Sequence, residues 1–146
     1  MNTHTAAALD KLSLGFSYLI LLASMVMLGW GVLGFLEFFT SLAPLMPLQN
    51  PSFPTGTQCV HWLVITAAGG TYLLGYGLRW TYTPVAMLAL FASLATLCAV
   101  ETFDFMQNPG RYGDFVRECI YYVVIATYLF RSTRMQERFG FPGRPG

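Results

Sequence analysis

An all-α membrane protein, a bundle of four transmembrane helices with both termini in the cytoplasm, is the fold this sequence predicts. Three observations predict it. Apolar residues make up 55% of the 146 residues and charged residues 10%, against a charged share of roughly 25% in soluble domains. So few charges do not cover the surface of a small water-soluble fold, whereas lipid solvates apolar side chains directly. The charges also fall in short groups, separated by long uncharged stretches. Most of these stretches match the about 20 residues that a helix needs to cross a hydrocarbon core roughly 30 Å thick.

The elements follow from where the charges and prolines stand. Residues 1–11 read as a short cytoplasmic N-terminus. The stretch after Lys11 is uncharged to Leu36, which is long for the core of a signal peptide, and no basic region precedes it. It is expected to be a retained helix over 12–39. Residues 41–56 form a non-cytoplasmic loop, because Pro44, Pro47, Pro51 and Pro54 lack the N–H that a continuous helix needs. A second helix over 57–78 ends at Gly75, Gly77 and Arg79. A third covers 81–104, with Pro84 in its first turn, where proline is tolerated. Asn108-Pro109-Gly110 marks the next turn. The fourth covers 113–134. Its uncharged part, Cys119 to Phe130, is too short to span, so the helix takes Asp114, Arg117 and Glu118 with it. The chain from Arg131 is expected to continue the helix for about two turns, and the basic tail, 135–146, which ends in glycines and prolines, to be disordered.

Basic residues set the orientation. Lys11, Arg79, Arg131, Arg134, Arg138 and Arg144 fall at one end of such a bundle, and Arg111 and Arg117 at the other. The six-residue end is expected to be cytoplasmic, in a multi-pass protein of a bacterial inner membrane. Small residues let membrane helices approach closely. Ala86, Ala89, Ser93, Thr96 and Ala99 recur at helical spacing, and Thr66, Ala67, Gly69 and Gly70 lie on the preceding helix. A tight hairpin of the second and third helices is therefore expected. Gly29-Trp30-Gly31-Val32-Leu33-Gly34 matches the dinucleotide fingerprint, which requires a preceding strand. Inside an apolar helix it reads as a groove for a neighbouring helix.

Ionisable residues at membrane depth are candidate functional groups. Glu101, Asp104, Arg117 and Glu118 form a candidate polar cluster, with Arg117 expected to pair with Glu101 or Asp104. A second candidate set, for an interface, is His61, Trp62, Phe53 and Leu45. The loop that carries Leu45 and Phe53 is uncharged and apolar, which points to cover by the bundle or by a partner. Cys59 and His61 are two apart and diverge on a helix, so they form no chelating pair. No metal site, disulfide framework, nucleophile elbow or nucleic-acid patch is indicated.

The functional expectation is an accessory or scaffold subunit of a larger membrane complex, more an assembly element than an enzyme. Lipids and a membrane-protein partner, or a second copy, are the expected contacts. No cofactor is evident, although bound lipid, quinone or pigment-like ligands would suit so aromatic a chain. Two alternatives are a small oligomeric transporter using the charged cluster and a membrane enzyme acting on a lipid or quinone, with His61 and an acidic residue as acid and base. A lipid-sized cavity reaching His61 would favour the last.

Overall fold

The computed structural model describes residues 3–40 and 53–140, and all regular structure among them is helical. The helices are α1 (Thr3–Thr40), α2 (Thr55–Leu78), α3 (Thr83–Val100), α4 (Arg111–Arg131) and α5 (Thr133–Phe139). At its end α3 passes into one wider π-helical turn, Glu101–Phe105. Ala8–Thr40 and Thr83–Phe105 are long and apolar enough to cross a membrane. α2 and α4, with 24 and 21 residues, reach about 36 and 32 Å at 1.5 Å per residue. They have the length but not the composition. Glycines, threonines, Gln58 and His61 dilute α2, and α4 begins with Arg111, Asp114, Arg117 and Glu118.

α1 begins at Thr3, ahead of the expected residue 12. A charge at Lys11 marks where an apolar stretch begins, not where a helix does, and Ala6, Ala7, Ala8 and Leu9 are strong helix formers. The other end of the chain also departs from expectation. α4 stops at Arg131 instead of residue 134, because Ser132 turns extended with ψ 127°. The segment from Met135 to Phe139, expected within a disordered tail, is helical, and both of those side chains are fully buried. Arg138 fastens it: its Nε and Nη2 donate to the Tyr76 carbonyl at 3.1 and 2.7 Å, and its guanidinium lies 4.2 Å from the centre of the Tyr76 ring. Leu45 and residues 41–52, like residues 141–146, lie outside the described residues.

Successive helices pack against one another, α1 on α2, α2 on α3 and α3 on α4. The closest pair is α1 with α2, not the expected α2 with α3. A Cβ on Gly69 would stand 2.6 Å from the Leu28 backbone nitrogen and 2.7 Å from the Ser24 carbonyl oxygen. One on Gly34 would enter the Trp62 indole, and one on Gly31 would stand 2.9 Å from the Thr66 nitrogen. Gly31 and Gly34 thus form the helix-packing groove expected of the glycine run. Thr66 and Gly69 are spent on α1. The small stripe of α3 turns outward instead: Ala89, Ser93 and Thr96 are exposed. Its buried face carries the bulky Met87, Phe91, Leu94 and Cys98. α2 and α3 still meet at their shared turn, where Gly75 admits the Thr83 side chain.

Among the described residues, α1 and α4 close the bundle at one end only. There Tyr128 sets its ring edge-on to Phe16 with centroids 4.7 Å apart. Its hydroxyl donates to the Ser13 carbonyl at 2.7 Å and lies 2.7 Å from the Ser17 hydroxyl. Arg134 adds an ion pair to Asp10 at 2.7 Å. Further along, the two helices are not close-packed, and a cleft opens between them.

Candidate functional site

The cleft has a volume of about 610 Å³, within the range of small-molecule sites. α1 supplies Val26, Met27 and Trp30 to one wall, and α4 supplies Phe115, Tyr121 and Tyr122 to the other. α2 and α3 form the floor with Ile65, Leu94 and Cys98, and Phe53 enters from just ahead of α2. Phe53 is held there edge-on to Phe105, with centroids 6.1 Å apart.

Two polar pairs lie in this apolar setting, each joining two helices. His61 of α2 donates its Nδ1–H to Glu101 Oε1 at 2.6 Å. Glu101 is buried, with 6% of its side chain exposed, against 22% for His61. The π-helical turn accounts for Glu101 and its neighbours. Its i to i+5 closure, from Met106 N–H to Glu101 O at 2.8 Å, widens the helix where α3 ends. Glu101 and Thr102 are left buried and line the cleft, while Asp104 is exposed. In the second pair, the Cys98 thiol of α3 donates to Glu118 Oε2 of α4 at 2.8 Å. An unpaired carboxylate at such depth is costly, and hydrogen bonds of this kind offset part of that cost.

The expected cluster is therefore divided. Glu101 and Glu118 face the cleft with separate partners. Asp104 is exposed and does not line it. Arg117 does not join α3: its guanidinium pairs with Asp114 of its own helix at 2.9 Å, and both side chains are about half exposed. Arg117 and Asp114 stand at the mouth with Arg111, which donates to the Met106 carbonyl and to the Tyr112 hydroxyl. Of the expected interface set, His61 and Phe53 line the cleft. Trp62 is buried against Gly34 of α1.

Cys98, Trp30 and Tyr122 belong to the site without having been singled out as site residues. A cysteine in an apolar stretch reads as a small hydrophobe, and only the seating of α4 reveals its carboxylate partner. Among the described residues no group of three or more His, Cys, Asp or Glu is placed to hold a metal ion.

Aromatic walls can stack on a flat ring. The groups at the site are three carboxylates (Glu101, Glu118, Asp114), two guanidinium groups (Arg111, Arg117) and one imidazole. With Nδ1–H committed to Glu101, a neutral His61 presents Nε2 as an acceptor. Such a site favours a neutral head that donates hydrogen bonds over an anionic one. Comparisons with protein-family models, with curated proteins and with solved structures find no match to this chain.

Proposed function

We propose that this chain crosses the bilayer four times and binds a quinol-class lipid, a hydroxylated ring on an apolar tail, in the cleft between α1 and α4. The observation that carries the reading is the cleft itself: an apolar, aromatic-walled space of about 610 Å³ that reaches His61 with Glu101 behind it. A ring hydroxyl would donate to His61 Nε2. Glu101 would orient the imidazole through Nδ1 and stabilise it if the proton passed across. Trp30 and Tyr122 would flank the ring, and Val26, Met27 and Ile65 would take the first part of the tail.

Helix length together with packing supports the reading of four spans. α2 is flanked by α1 and α3, so its polar residues need not meet lipid. The charges of α4 lie in its first eight residues and at its last, Arg131, where long side chains reach the polar boundary from within the helix ends. Six basic residues at one end support a cytoplasmic side for both termini. A C-terminal reporter active only outside the cytoplasm would stay silent; activity would overturn this orientation.

The accessory-subunit reading draws on the exposed apolar residues of α1 and α4, such as Leu19, Leu22, Val116 and Val123. Lipid covers such faces without a partner. The cleft needs an occupant of its own, so the ligand reading takes precedence.

Tryptophan fluorescence in lipid nanodiscs tests the reading, since a bromine-substituted quinol quenches indole emission on contact. Titration with a short-tailed bromoquinol should quench the wild type, and Trp30→Phe should remove the larger part of the quench while Trp80→Phe leaves it. His61→Ala should weaken binding at least tenfold with helicity unchanged. Equal quenching in Trp30→Phe, or equal affinity in His61→Ala, would overturn the assignment.

A further inference from the structure

At the opposite end of the molecule, outside the pivot formed by Tyr128, two cavities of about 610 and 490 Å³ adjoin. They share Phe16, Tyr128, Arg131 and Ser132 as lining residues, so they form one continuous groove. Its two halves differ in chemistry. One runs along α4 over Val123, Val124 and Thr127, beside Phe16 of α1. From Val123 to Arg131 this stripe covers about 12 Å of helix. Val123 and Val124 are exposed, as lipid-facing side chains would be.

The other half lies where α4 breaks into α5, and it is polar. Arg131, Thr133, Arg134 and Asp10 line it. Asp10 neutralises Arg134 at 2.7 Å. Arg131 is exposed and makes no hydrogen bond or ion pair among the described residues. The extended Ser132 stops α4 directly after Arg131, which leaves this cation at the junction of the apolar and polar halves. The lining charges sum to one net positive charge.

We propose that this groove seats one anionic phospholipid, its phosphate on Arg131 with the Thr133 hydroxyl as a second donor, and one acyl chain along Val123, Val124 and Phe16. The assignment rests on the chain's being embedded in a bilayer, and it is independent of the ligand of the α1/α4 cleft. Charge decides the headgroup. A single uncompensated guanidinium matches the one negative charge of a phosphatidylglycerol, whereas the ammonium of a zwitterionic lipid would add a cation beside Arg131 and Arg134. The apolar half decides for a lipid over free phosphate, because inorganic phosphate leaves that half uncovered. Basic residues at a membrane surface attract anionic headgroups in general. What singles out Arg131 is the groove that continues from it.

Native mass spectrometry of the full chain, released from nanodiscs of equal phosphatidylglycerol and phosphatidylcholine, tests the assignment. Wild type should retain one phosphatidylglycerol, at least fivefold over phosphatidylcholine. Arg131→Gln should lose that preference, and Val124→Trp, which fills the apolar half, should lose the retained lipid. Arg79→Asn removes another cation from the same end at an exposed position with φ 55°, a backbone conformation that asparagine tolerates; it should keep the preference. An equal fall in Arg79→Asn would reduce the effect to general surface charge and overturn the site. Retention unchanged in Arg131→Gln, displacement of the lipid by inorganic phosphate alone, or a second copy of the chain in the lipid's place would overturn it too. Failure to enter nanodiscs at all would overturn the membrane reading together with the site. Entry without headgroup preference would overturn the site and leave that reading standing.

Discussion

α1 meets α2 and α4 in opposite ways. Against α2 it is sealed along several turns, with backbone against backbone at Gly31 and Gly69 and the Trp62 indole seated on Gly34. Against α4 it touches through Phe16, Ser13 and Ser17 near one end and then leaves a cleft walled by Val26, Met27 and Trp30. Glycine removes the side chain that would hold two backbones apart, and lipid-embedded helices depend on such close contact because apolar surface alone does not favour helix over lipid. A rigid α1/α2 pair is therefore the frame, and the α1/α4 side is where the molecule has room for something else.

The sealed side should be the more fragile to substitution. Gly69→Ala places a methyl group within 2.7 Å of backbone atoms of Ser24 and Leu28. Backbone cannot swing aside as a side chain can, so the helices must separate, at a cost of about 3 kcal/mol. Gly70→Ala is the matched control, because there the nearest atom is the Leu28 Cδ1 at 3.8 Å, an ordinary contact. Unfolding titrations in mixed micelles should show a large loss for the first variant and none for its neighbour. Equal losses would mean that glycine acts here through helix propensity and not through close approach.

In the cleft, the largest stability effect should come from the pair at its floor. His61 and Glu101 share a short, largely buried hydrogen bond to a charged group, a type worth about 2 kcal/mol. A double-mutant cycle with His61→Ala and Glu101→Gln should return a coupling of that order, and a coupling near zero would detach the two residues from each other. Tyr128→Phe comes next. It removes the hydroxyl that joins α4 to Ser13 and Ser17 but keeps the ring on Phe16, so the loss should be about 1 kcal/mol. Its more informative readout is the spacing of labels at Val26 and Tyr121, which should broaden if Tyr128 is the pivot of the cleft and stay unchanged otherwise.

Charge and proline spacing placed α2 and α3 closely and marked the turns between them, because a missing N–H or a desolvated charge acts locally and leaves a mark at its own position. Lateral packing left no such mark. The small stripe of α3 and the glycines of α1 look equally able to receive a neighbour, and only the three-dimensional arrangement shows that Gly31 and Gly34 do so while Ser93 and Thr96 face outward. The site was divided in the same way. His61, Glu101 and Glu118 stood out as ionisable groups in apolar surroundings. Their partners could not be read from spacing, since each pair joins two helices and the π-helical turn shifts which residues of Glu101–Phe105 are buried. Phe139 was missed for a related reason: a short basic segment next to glycines and prolines resembles a free tail until Arg138 is seen to bond the Tyr76 carbonyl.

Arg117 gives the smallest expected effect and a useful one. Were it buried to make α4 long enough to span, Arg117→Ala would disturb folding severely. Among the described residues the guanidinium is about half exposed and pairs only with Asp114, three residues away on its own helix. Exposed pairs of this kind contribute a few tenths of a kcal/mol. Arg117→Ala should therefore fold and accumulate normally, with a stability change below about 0.5 kcal/mol, far less than the loss of about 3 kcal/mol in Gly69→Ala. A severe defect in Arg117→Ala would mean that α4 sits deeper than its pairing suggests, and that the mouth of the cleft is not where Arg117 now places it.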